Sequence, residues 1–256
     1  MAANPNTGKT HTRHFRMLAN GYNLSGDMRS ISEFGVETAQ DDATGWSDDV
    51  MQYLAGRGTV KLDGFTALFN NEATGTGPTL AGAHTVLNGA TEVYGSVFMG
   101  IRAAPAIANP TFSAVFEKIA YSANGDAVPM IQASFGGSAT LASSLSVWGH
   151  ALAVGTELSA SGQGASVDNG AATTGGYIAF LHIPQTTGAI ASNTWSFIVE
   201  HSSNDSSFST LATFTAAGSA ITAERLEGSG TVNRYVRFKY TRTAGTARPW
   251  VTFIRK

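Results

Sequence analysis

Apolar and polar residues alternate along much of the chain, most clearly between Thr194 and Lys256. The segments Trp195-Ser-Phe197-Ile-Val199-Glu, then Phe208, Leu211 and Phe214, then Tyr235-Val-Arg237-Phe-Lys239-Tyr and Trp250-Val-Thr-Phe-Ile-Arg255 each read as a strand that buries one face. Gly176–Ile183 is nearly all apolar, which predicts a strand covered on both faces. In the first half, Met28–Val36 reads as a strand anchored by Ile31 and Phe34. Thr59–Phe69 reads as a strand that changes phase. Val60 and Leu62 share one face before Gly64, and Phe65, Ala67 and Phe69 share a face after it, so the glycine marks a bulge or bend. Gly82–Asn88 predicts a short helix stopped by Gly89. Glu92–Ile101, Phe112–Tyr121 and Val128–Phe135 read as further strands, the last two joined at the turn signal Asn124-Gly125. Leu145–Trp148 is apolar, and Ser159–Gly176 reads as loops around a short strand at Ala165–Val167.

Glu37–Gly58 breaks the pattern. It carries Asp41, Asp42, Asp48 and Asp49 among Trp46, Val50, Met51, Tyr53 and Leu54, without clear periodicity. A connection of that length is usually functional or disordered, and its aromatic residues argue against disorder. The expectation is an extended loop that becomes ordered on a partner. The whole pattern predicts a mainly β protein: a β-sandwich or barrel with one short helix over residues 1–138, then a second antiparallel, sandwich-like β domain over 139–256, divided at Gly136-Gly137-Ser138.

Composition narrows the class. Of 256 residues, 43% are hydrophobic, enough for a substantial core, but only 13% are charged, against about 25% in ordinary soluble domains. Either partners cover much of the surface, or hydroxyl side chains keep it soluble. The net charge of −2 is uneven. Residues 1–138 hold 8 basic and 12 acidic residues, and 139–256 hold 8 basic and 6 acidic, a balance of −4 against +2. The absence of cysteine excludes disulfides, thiolate catalysis and cysteine metal sites. The first residues lack the apolar stretch of a signal peptide, and no run approaches the ~18 apolar residues of a membrane span.

Chemical motifs are weak. Gly8-Lys9-Thr10 lacks the earlier glycine of a phosphate-binding loop, since Ala3 stands there. His11 and His14 have no obvious third metal ligand, and His182, inside an apolar strand, reads as a hydrogen-bonded core residue. No Gly-x-Ser-x-Gly elbow occurs. The aspartate cluster at 41–49 lacks the spacing of an EF-hand and reads as a solvated or partner-facing loop. Arg234, Arg237, Lys239, Arg242, Arg248, Arg255 and Lys256 raise the possibility of a nucleic-acid patch.

Two stretches together resemble the major tail tube proteins of long-tailed, siphovirus-like bacteriophages. One is Gly21-Tyr-Asn-Leu-Ser-Gly-Asp-Met-Arg-Ser-Ile-Ser with the acidic loop and Gly58-Thr-Val-Lys-Leu-Asp-Gly-Phe, followed by the hairpin Phe112–Phe135. The other, Trp195-Ser-Phe-Ile-Val-Glu-His-Ser-Ser-Asn-Asp, Leu211-Ala-Thr-Phe and Gly230-Thr-Val-Asn-Arg-Tyr-Val-Arg-Phe, resembles a β module of phage tails. The resemblance implies a structural virion protein that needs no cofactor and performs no catalysis. Copies would form hexameric, or trimeric pseudo-hexameric, rings that stack into a conduit for double-stranded DNA. Tape measure and terminator proteins would be further partners, and no membrane would be involved. The expected location is the virion tail, after assembly in a host cytoplasm. Trp46, Val50, Met51, Tyr53 and Leu54 would then anchor contacts between subunits or rings. Asp41, Asp42, Asp48 and Asp49 would belong to an acidic loop or the lumen. The alternative is a capsid or tail decoration, or a glycan-binding module using exposed Trp148, Trp195 or Trp250.

Overall fold

The computed structural model describes residues 12–46, 49–72, 82–125, 127–137, 146–184, 195–215 and 221–256. In the first half, β1 (Phe15–Ala19), β2 (Tyr22–Asn23), β3 (Met28–Ser30), β4 (Glu33–Asp42) and β5 (Tyr53–Leu68) precede a short helix, α1 (Ala83–Asn88). Then come β6 (Glu92–Met99), β7 (Pro110–Ala123) and β8 (Met130–Gly137). The second half adds β9 (Trp148–Val154), β10 (Gly162–Gln163), β11 (Val167–Asp168), β12 (Tyr177–Ile183) and β13 (Trp195–Ser202). It ends with β14 (Ser209–Thr213), β15 (Thr222–Gly228), β16 (Tyr235–Arg242) and β17 (Trp250–Arg255). The chain is thus mainly β, with antiparallel strand pairs and the one short helix expected.

A 12-stranded sheet runs in the order β15-β12-β17-β9-β7-β6-β1-β2, with β8, β5, β4 and β3 branching from β7. The branch arises because β7 is long. Its first residues, Pro110–Phe112, pair with β9, while Phe116–Ala123 pair with β8. Strands from both halves share this sheet, since β7 of the first half is hydrogen-bonded to β9 of the second.

The eight-strand path curls until its ends nearly meet, as in a barrel. The turn between β1 and β2 lies against the start of β15, where a Cβ on Gly21 would stand 2.6 Å from the Thr222 carbonyl oxygen. With φ at +87° and no space for a side chain, only glycine suits this point of closure.

β12 explains the apolar run at 177–183. Ile178 and Phe180 belong to the first core, with Phe65, Phe112, Phe116 and Phe135. Ala179, Leu181 and Ile183 face the second core, with Trp195, Phe197, Phe238 and Phe253. A five-stranded sheet, β10-β16-β13-β14 with β11 beside β16, supplies that second layer. A strand between two apolar layers has no polar face, so it carries no alternation.

The phase change at Gly64 is present. Val60, Leu62, Phe65 and Ala67 are all buried, and the pairing of β5 with β8 shifts register between Leu62 and Phe65. Gly64 has φ +61°, and a Cβ there would run into the Ser32 hydroxyl.

Glu37–Gly58 is not an irregular loop. It forms most of a β-hairpin, with Glu33 opposite Asp63, Val36 opposite Val60 and Asp42 opposite Tyr53. Periodicity was hidden because beyond Val36 both faces of β4 are exposed, leaving no buried side to impose alternation.

Candidate assembly surface

The β4–β5 hairpin leaves the body at Val36 and Val60 and projects as an arm. From Phe34 to Asp42 it climbs roughly 25 Å, at about 3.3 Å per residue. Its tip is fastened by local hydrogen bonds. Asp42 Oδ1 accepts from the Thr44 amide at 2.9 Å and the Thr44 hydroxyl at 2.5 Å. Thr44 Oγ1 accepts from the Gln52 amide at 3.0 Å, and Ala43 N–H donates to the Gln52 carbonyl at 2.9 Å. The bonds from the Thr44 hydroxyl and amide hold the Asp42 carboxyl below its usual titration range. At the foot, Lys61 pairs with Glu37 at 2.8 Å and Glu33 at 3.2 Å, joining the two strands.

Every apolar residue expected to make contacts lies on this arm, exposed. Val50, Met51, Tyr53 and Leu54 are 52–73% exposed, and Trp46 is fully exposed. One exposed apolar residue needs no explanation. Several on one projecting hairpin make a patch of the kind that marks interaction sites. Of the four acids, Asp42 and Asp49 are at the tip. Asp48 and the side chain of Asp41 lie outside the described residues, though Asp41 is paired with Leu54 along the arm. No group of three or more histidine, aspartate or glutamate residues among the described residues could hold a metal.

At the foot of the arm is a cleft of about 240 Å³ lined by Arg13, Arg16 and Arg29 around Phe15, Met28 and Ile31. Phe34 closes one side and packs on Phe15, Phe112 and Trp148, with ring centroids 6.4, 5.2 and 5.9 Å away. Arg16 donates to the carbonyls of Phe15 at 2.7 Å and Arg13 at 3.1 Å. Among the described residues no carboxylate lines the cleft. Sequence reasoning missed this site because its arginines fall on separate elements, in a half whose overall balance is acidic.

The C-terminal basic residues tell the opposite story. Arg234 pairs with Asp168, Arg237 and Lys239 with Glu200, Arg248 with Glu157 and Lys256 with Glu227. Arg242 donates to the Gly245 carbonyl, and Arg255 to the carbonyls of Ala171, Val232, Asn233 and Arg234. These contacts stitch strands together, and Arg234, Arg237, Lys239, Arg248 and Lys256 each meet a carboxylate of their own chain.

The tryptophans also separate. Trp148 is 50% exposed, but Trp195 and Trp250 are 1% and 7% exposed and belong to the cores. The three therefore form no shallow groove. His182 is buried in the barrel. Its Nδ1 accepts from Gly21 N–H at 3.3 Å, and its Nε2 lies 2.8 Å from Ser96 Oγ, which accepts from Ser113. Burial pushes its pKa down to about 3, so the ring is neutral. His11 and Gly8-Lys9-Thr10 lie outside the described residues. No helix among the described residues is long and apolar enough to cross a membrane.

No family model matches this chain, and no curated protein matches its sequence. Among solved structures it is similar to the crystal structure of the Dit protein of SPP1, a hub adsorption apparatus protein of phages that infect Gram-positive bacteria. The match has 11% identity and a TM-score of 0.34, and covers 93% of this chain and 98% of that one.

Proposed function

We propose that this chain is a structural subunit of a long-tailed phage tail, and that its copies join through the β4–β5 arm into the stacked rings of a tail tube. The observation that carries this reading is the arm itself: an ordered hairpin that lifts Trp46, Val50, Met51, Tyr53 and Leu54 away from their own chain's core. Aromatic residues and methionine are the residue types that interfaces bury. The sparse charge, 13% of residues, suits a surface that neighbours cover. The resemblance of residues 21–65 and 195–238 to tail proteins selects the tube among assemblies.

The work of such a tube is passive. Double-stranded DNA carries a negative charge per ~1.7 Å of axis, so an acidic or neutral lining lets it slide without sticking. The acidic balance of residues 1–138 supports this role, which involves no catalysis, cofactor or membrane. The virion tail is the corresponding location, with tape measure and terminator proteins as neighbours.

The test is mass photometry and negative-stain microscopy of the purified chain over rising concentration, alone and with tail partners. Rings or tubes are expected. A W46S/M51S/L54S variant should remain monomeric with an unchanged melting curve. A wild-type chain that stays dispersed at millimolar concentration would overturn the proposal.

A further inference from the structure

The arm needs a receiving surface, and the molecule carries one that matches it in charge and polarity. We propose that the tip of one copy's arm docks in the arginine-lined cleft at the foot of another copy's arm. This rests on the self-assembly reading above and adds the receptor to it.

Complementarity is the first support. The tip presents Asp42 and Asp49 beside Trp46, Val50 and Met51, with no basic residue from Asp41 to Leu54. The cleft presents Arg13, Arg16 and Arg29 around Phe15, Met28 and Ile31, with no acid among the described residues that line it. Each side offers apolar contact rimmed by charge of one sign, and the signs are opposite. Arg29 and Asp49 have no hydrogen-bond or ion-pair partner among the described residues, and Arg16 contacts only carbonyl oxygens. Their charges are available to a second chain, whereas Arg234, Arg237 and Arg248 are already paired with carboxylates.

Reach is the second support. The cleft borders Phe34, where the arm starts, and the tip stands roughly 25 Å away along a paired hairpin. A tip so placed cannot enter the cleft beneath its own arm, so the contact joins two copies. It uses two different patches, tip and foot, and is therefore head-to-tail. Such a contact repeats until a ring closes or a filament grows. The chain's own first eleven residues make a poorer occupant, since they include Lys9 and no acid.

The test is a charge exchange between tip and cleft in the full chain, read by sedimentation velocity and electron microscopy. R29E alone and D49K alone should each weaken association at least roughly tenfold. Both leave melting unchanged, because neither side chain has an internal partner. The D49K/R29E combination should return association to within about threefold of wild type. If R29E assembles like wild type, or the combination is no better than the weaker single variant, the cleft is not the receptor. The self-assembly reading survives that result if W46S/M51S/L54S still abolishes rings. A wild-type chain that never associates sinks both. If R29E instead abolishes binding of a 20-base-pair duplex and spares assembly, the cleft is a phosphate site and the proposal falls.

Discussion

β12 and the β4–β5 arm are both rich in apolar side chains, but β12 has a layer on each face and the tip of the arm has none. Phe180 and Leu181 are adjacent in sequence and enter different cores. Trp46 and Met51 enter no core at all. The contrast teaches that hydrophobic content alone does not locate a core. What decides burial is how many layers the chain can fold onto a strand. Where it supplies none, a second molecule must, or the surface stays apolar in water.

Substitution can break this contrast at either end. Phe180→Ala removes a wholly buried ring from the wall of the barrel and should cost about 3–5 kcal/mol in urea unfolding. A cost below about 1 kcal/mol would mean that β12 is not the packed centre described here.

Acid comes next. The neutral folded His182 has a pKa of about 3, below the ordinary 6.5 of the unfolded chain. Between those values the unfolded state holds the extra proton, so this histidine's contribution to stability is intact above pH 6.5 and shrinks as pH falls towards 3. The slope is about 1.4 kcal/mol per pH unit at most. His182→Gln should flatten the stability profile of wild type between pH 6.5 and 4, as measured by denaturant unfolding at each pH.

Gly64→Ala should cost about 1–3 kcal/mol, from the positive φ and the collision with Ser32. Ser32→Gly in the same chain should recover part of the loss. The smallest effect is expected at Trp46→Ser. It should change monomer stability by no more than about 0.5 kcal/mol, measured at concentrations too low for association. A larger loss would show that the tryptophan serves its own fold.

The sequence showed whatever a single strand displays by itself. The phase change around Gly64, the glycine-stopped helix before Gly89, and the two-sided burial of 177–183 were all legible, because each is written in consecutive residues. The arm was not. With Glu37, Thr38, Gln40 and Leu54 all exposed, the in-and-out rhythm that identifies a strand is missing. Trp46, Val50, Met51, Tyr53 and Leu54 could be read as neighbours on one segment, but their exposure on a paired hairpin was not visible. Trp195 and Trp250 looked like candidates for a groove because their strands alternate; the second sheet and the barrel wall that cover them come from segments distant in the chain. The arginine cleft was hidden for the same reason. Arg29 joins Arg13 and Arg16 only after β1 and β3 are placed around one opening.

β17 follows the other described strands, yet it sits between β12 and β9 in the interior of the main sheet. A ribosome therefore releases the hairpin at Glu33–Leu68 long before the wall beside β9 can be filled. If copies join through that hairpin, as proposed above, the segment that makes the contact is synthesised well before the main sheet can receive this interior strand.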